Sequence, residues 1–171
     1  MDPFWRTVLW SQFGAAIDML ENAIQACPDE LWGDRSQHLQ FWYVAYHALF
    51  WLDLYLSGRA EGFAPPAPFT LSEIDPAGLL PERQYTKDEL QDYLEYGRNK
   101  CRKTIQALTD ERARQPCRFP WWSGDGMSFL ELLLYTMRHV QEHGAQLNLM
   151  LGQTHNLPPG WDDWVGRAKS G

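Results

Sequence analysis

The chain has 171 residues, 44% of them hydrophobic and 22% charged, with a formal net charge of −7. That length suffices for one domain, residues 1–171, with a substantial core, and gives little reason to expect two. The acidic balance, without any cluster of five or more Lys and Arg, argues against a nucleic-acid partner, whose phosphates attract such clusters.

The opening Met1-Asp-Pro-Phe-Trp-Arg-Thr lacks the basic and apolar regions of a secretory signal. A first helix is predicted over about residues 4–27, where Val8, Leu9, Phe13, Ala16, Ile17, Leu20, Ala23 and Ile24 recur at helical spacing. Pro28 helps to stop it. A second helix, about 36–56, is apolar almost all round, so neighbours must cover most of its sides. Its run from Phe41 to Leu56 contains His47 and Asp53 and is short for a bilayer span, which favours a buried helix over a membrane segment. Ser57-Gly58 ends it.

Residues 58–85 carry Pro65, Pro66, Pro68, Pro76 and Pro81 and no clear periodicity. A connection this long permits a crossover that leaves two successive helices parallel, or forms a lid over a site. The third helix opens on the capping box Thr86-Lys-Asp-Glu89, and its acids come early and its bases late, matching the helix dipole. Residues 116–126 read as a loop holding Trp121 and Trp122. A second capping box, Ser128-Phe-Leu-Glu131, then opens a fourth helix that runs to near Gly152, and residues 153–171 form a proline-rich tail. No strand alternation predicts a sheet. The expected fold from these segments is an all-α four-helix bundle over about residues 4–152.

Nine Trp, eight Phe and seven Tyr favour a large core or an aromatic cavity. Cys27, Cys101 and Cys117 form neither a Cys-x-x-Cys pair nor a disulfide framework, which suits a reducing, cytoplasmic setting. Cys117, beside Arg118 in a loop, is the cysteine to consider reactive.

His139 and His143 stand four apart in the fourth helix and so project from one face. On an ideal helix advancing about 100° per residue, both lie between the polar face of Glu131, Arg138 and Glu142 and the core face of Val140, Leu147 and Leu151. Tyr135 and Gln146 share their stripe and could hydrogen-bond a ligand. His47 sits among Tyr43, Val44, Phe50, Trp51 and Leu54, where an imidazole is costly without a partner. Taken alone, His47 reads as a core histidine; together the three favour a metal site, since three imidazoles leave a coordination position open for chemistry. His38 and His155 read as surface histidines, and Glu142 as a surface charge. A ferritin-type Glu-x-x-His and a zinc-protease His-Glu-x-x-His are both absent.

The stretches Ala26-Cys-Pro-Asp-Glu-Leu-Trp32, Tyr46-His47-Ala-Leu-Phe-Trp51 and His139-Val-Gln-Glu-His143-Gly-Ala-Gln146-Leu together resemble the DinB-like family. The likeness covers roughly residues 4–152. It implies a four-helix bundle with a long crossover between helices two and three, in which His47, His139 and His143 bind a divalent metal, zinc or nickel first; three imidazoles also suit iron or manganese. Some similar proteins are metal-dependent transferases that join a small thiol, such as bacillithiol or mycothiol, to an electrophile. The resemblance thus implies small-molecule substrates, a low-molecular-weight thiol and an electrophile. The alternative is a non-catalytic metal- or ligand-binding bundle that associates as a homodimer, with Trp121, Trp122, Trp161 and Trp164 on a dimer surface or folded as a lid.

Overall fold

The computed structural model describes residues 2–36, 39–153, 157–158 and 160–169. Four long helices dominate it: α1 (Pro3–Ala26), α3 (Phe41–Ser57), α4 (Lys87–Gln106) and α6 (Phe129–Gly152), with two short ones, α2 (Asp29–Trp32) and α5 (Asp110–Arg114). Each boundary has a local cause. The Asp2 carboxylate accepts the Phe4 amide and Pro3 opens α1, where a missing N–H costs nothing. Gly58, at φ 74°, closes α3 in the left-handed conformation that glycine adopts without steric cost. Both capping boxes form as read, Thr86 with Glu89 and Ser128 with Glu131.

Side-chain contacts fix the directions of the helices. Tyr93 meets Asp53 and Lys100 meets Ser57, so α4 runs parallel to α3. Tyr55 meets Tyr135 and Gly58 lies against Phe129, so α6 runs antiparallel to α3. Arg6 bonds Gln106 while Arg98 reaches Glu21, so α1 opposes α4. Parallel α3 and α4 require the chain to travel the length of the bundle between them, which is the expected crossover. It is pinned by Phe69, stacked between Tyr46 and Tyr93 at centroid distances of 5.9 and 4.2 Å, and by the Tyr46 hydroxyl donating to the Thr70 carbonyl at 3.2 Å. A 3-10 turn, Ser72–Ile74, sits within it.

Several features depart from the sequence reading. The second long helix starts at Phe41 rather than near 36, because Ser36 donates to the Asp34 carboxylate and closes a turn of its own. The helices α2 and α5 are one-turn pieces inside the connections. Two-residue strands β1 (Pro116–Cys117) and β2 (Met127–Ser128) pair antiparallel, too short to show any alternation in sequence. Cys117 is therefore buried in a strand, and burial pushes its thiol up rather than activating it. Cys27 and Cys101 are buried too, and Cys27 is pushed up to about 12 by desolvation. The tail lies along α1, with the Ala168 amide donating to the Ser11 carbonyl at 2.9 Å and the Lys169 amide to Asp18 at 2.7 Å. Among the described residues no helix is long and apolar enough to cross a membrane.

Two buried carboxylates are matched across helices by full cations. Asp18 of α1 pairs with Arg98 of α4, and Asp53 of α3 with Lys100 of α4 at 2.5 Å, where the Tyr93 hydroxyl adds a bond at 3.0 Å. Breaking such a pair strands a charge in a medium that cannot solvate it. Lys100→Met should therefore destabilise the protein by about 3 kcal/mol in urea unfolding. Breaking the exposed Arg83–Glu89 pair should cost less than about 1 kcal/mol. Equal effects would show that Asp53 is not isolated from water.

Candidate metal centre

The antiparallel contact of α3 with α6 brings together three imidazoles, one of them far along the chain from the other two. Ring nitrogens of His47, His139 and His143 all fall within 4.8 Å of one another. His139 Nε2 and His143 Nε2 are 3.0 Å apart, and the His47 ring centroid lies 4.7 Å from His143 and 5.3 Å from His139. The pair on α6 meets because residues four apart share a helix face. His47 meets them because α3 is covered by α6 on that side.

The outward nitrogens decide what the inward ones can do. His143 Nδ1 lies 2.8 Å from Gln146 Oε1, and His47 Nδ1 lies 2.7 Å from Glu73 Oε2. Both oxygens accept, so both Nδ1 atoms carry hydrogen, and in the neutral form that ligates a metal each ring turns its lone pair inward at Nε2. Among the described residues His139 has no such partner: its Nδ1 is buried without a hydrogen bond. Were its proton on Nε2, Nδ1 would be a buried, unsatisfied acceptor. Were it on Nδ1, two lone pairs would face each other at 3.0 Å. A cation between the rings relieves the second arrangement, so the donor set fits a divalent ion.

Electrostatics agree. Burial, followed by the nearby His143 and His47, pushes the His139 imidazole down to about 3. Burial also lowers His143, against the opposing effect of its bond to Gln146. Neutral imidazoles at physiological pH are the form that binds a metal. His47 remains 28% exposed, so the cluster is not sealed from solvent.

Of the other residues singled out in the sequence, Gln146 does orient a candidate ligand, and Tyr135 lies nearly parallel to the His139 ring with centroids 6.3 Å apart. Glu142 is exposed, as expected of a surface charge. His38 and His155 lie outside the described residues. Trp121 packs edge-on to Trp51, and Trp122 against Tyr55 and Tyr135. With Ser123, Gly126, Met127 and Tyr135 these two tryptophans line a cavity of about 300 Å³. Trp161 packs against the core, whereas Trp164 is 80% exposed. Sequence reasoning missed Glu73. It lies 26 positions from His47 in a segment without periodicity; the one available signal is that a buried ligating histidine needs an acceptor for its second nitrogen.

Fold and site together define a four-helix bundle with a three-imidazole cluster able to hold a divalent metal. Residues 12–147 match the family model of the DinB superfamily, and the chain belongs to that superfamily. Nothing matches among curated proteins or solved structures.

The lowered His139 has a consequence for stability. Between its ordinary value of 6.5 and about 3, the unfolded chain takes up a proton that His139 in the fold does not. Stability rises with pH wherever the unfolded state binds more protons. The metal-free protein should thus lose stability as pH falls from about 6.5 towards 3. Urea midpoints measured from about pH 7 to pH 4 should fall less steeply for His139→Gln than for the parent. Identical slopes would mean that His139 titrates normally in the fold.

Proposed function

We propose that His47, His139 and His143 bind a divalent metal ion, zinc or nickel first and iron or manganese next, and that the protein is a metal-dependent thiol transferase acting in a reducing, cytoplasmic setting. One observation carries the metal reading: three ring nitrogens converge within 4.8 Å while hydrogen bonds to Glu73 and Gln146 turn two of the lone pairs inward. A divalent ion held there supplies Lewis acidity, which lowers the pKa of a coordinated thiol and makes a nucleophile at neutral pH. The chain's own contribution is to orient the three imidazoles and, through burial, to favour the neutral form of His139 and His143, with His47 reachable from solvent. The cavity between Trp121, Trp122 and Tyr135 is the place for an apolar part of the electrophile, since Tyr135 also stacks on His139. Membership of the superfamily supports the metal site more directly than it supports thiol transfer. Three free, buried cysteines support the reducing compartment.

Metal content of the purified, untagged protein tests the first part. The parent should carry near-stoichiometric metal, and the His139→Ala/His143→Ala double variant should lose it. No metal in the parent after incubation with zinc, nickel or iron(II) would overturn the reading. If metal is present, low-molecular-weight thiols with a model electrophile should give turnover that depends on it.

A second reading is a non-catalytic bundle that associates with a copy of itself. Phe4 and Trp5, 62% and 58% exposed, favour it, as does the groove that Trp5, Val8, Leu9, Leu130 and Leu134 line between the starts of α1 and α6. Light scattering after gel filtration should then give a dimer that Trp5→Glu converts to monomer. A monomeric parent would exclude this reading.

A further inference from the structure

Glu73 is the residue around the site whose surroundings the histidine cluster alone does not explain. Its side chain is only 3% exposed, and it reaches the site from the crossover rather than from a helix of the bundle. Oε2 accepts from His47 Nδ1 at 2.7 Å and from the Trp51 indole N–H at 3.2 Å. Oε1 is buried and, among the described residues, makes no hydrogen bond of full geometry, although the Tyr43 hydroxyl stands near enough to the carboxylate for Glu73, after burial, to raise its pKa. Among the described residues, His47 is the sole basic group within ion-pair distance of it.

Comparison with the other buried carboxylates sharpens the point. Asp18 has the Arg98 guanidinium and Asp53 has the Lys100 ammonium. A buried carboxylate without a full cation is costly, and a single imidazole that is neutral when it ligates a metal supplies none. A divalent ion on the far side of that imidazole does. Three neutral imidazoles leave both positive charges of such an ion uncompensated in a partly buried site, and a carboxylate one ring away offsets one of them.

We propose that Glu73 is a positioning residue of the metal centre: it holds His47 in its Nδ1–H form, with Nε2 directed to His139 and His143, and provides the negative charge that balances the ion. The inference rests on the metal reading above. It adds that the crossover is part of the site, so that occupancy of the centre and docking of residues 70–76 favour each other, as thermodynamic linkage requires.

Titration of metal-free protein with Zn²⁺ and with Co²⁺, for the parent and for Glu73→Gln, tests this. The substitution keeps the size of the side chain and one acceptor oxygen but removes the charge. The variant should keep the parent's helical circular dichroism, bind both ions roughly 10–100-fold more weakly, and shift the visible absorption bands of the Co²⁺ form. Amide exchange at residues 70–76 should slow on adding Zn²⁺ to the parent and slow less in the variant. A purely structural role would lower the unfolding midpoint of Glu73→Gln yet leave its affinity within about twofold of the parent's and its Co²⁺ spectrum unchanged; that result overturns the inference and leaves the metal reading standing. A parent that binds neither ion overturns both. Should the variant not fold, imidazole nitrogen NMR of the Zn²⁺-loaded parent decides: His47 protonated at Nδ1 and ligated through Nε2 is expected, and ligation through Nδ1 overturns the assignment.

Discussion

Helix α3 has almost no face that water can touch, and that constraint organises the rest of the molecule. Of its 17 residues, 13 are buried, among them Phe41, Ala45, Tyr46, Phe50, Leu52 and Leu54. One neighbour cannot cover so wide an apolar surface; α3 needs α6 on one flank, α4 on another and the crossover over what remains. The crossover meets that need with Phe69, stacked on Tyr46, and Phe63, edge-on to Phe50. A histidine placed on such a helix has little solvent to satisfy it, so His47 must find its partners in whatever covers it. They come from α6 on one side and from Glu73 on the other.

The same accounting runs through the buried charges. Each is matched across elements rather than within one: Asp18 to Arg98 between α1 and α4, Asp53 to Lys100 between α3 and α4, and Glu73 to His47 between the crossover and α3. The first two pairs complete their charge balance with protein groups and tie helices together. The third pairs a carboxylate with an imidazole, which leaves room for a cation beyond the ring. On the metal reading proposed above, that difference separates a structural ion pair from one that serves a site.

Around the histidines the chain concentrates its rings. Tyr135 stacks on His139, Trp51 lies beside His47, and Trp121 and Trp122 extend the aromatic wall from the hairpin between α5 and α6. Such a wall surrounds part of the cluster with apolar ring surface. Superfamily membership accounts for the bundle that carries this arrangement. The aromatic wall and the carboxylate from the crossover complete the surroundings of the three imidazoles.

Much of this was legible without coordinates, because it is local or periodic. The capping boxes at Thr86 and Ser128 mark helix starts through contacts three residues long, and the stripe of Leu90, Tyr93, Leu94 and Cys101 repeats at the helical period. The spacing of His139 and His143 places both on one face through helix geometry alone. The proline-rich length of 58–85 left room for a crossover or a lid, and the family resemblance made the crossover the expectation. What the tertiary structure alone decided concerns groups far apart in sequence or too short to carry a pattern. Ser36 turned to Asp34 instead of starting a helix; the strands at Cys117 and Met127 exist through each other; and Glu73 reached His47 across 26 positions. No local rule encodes such partners, since a buried polar group takes whichever acceptor the packing of the whole chain delivers to it.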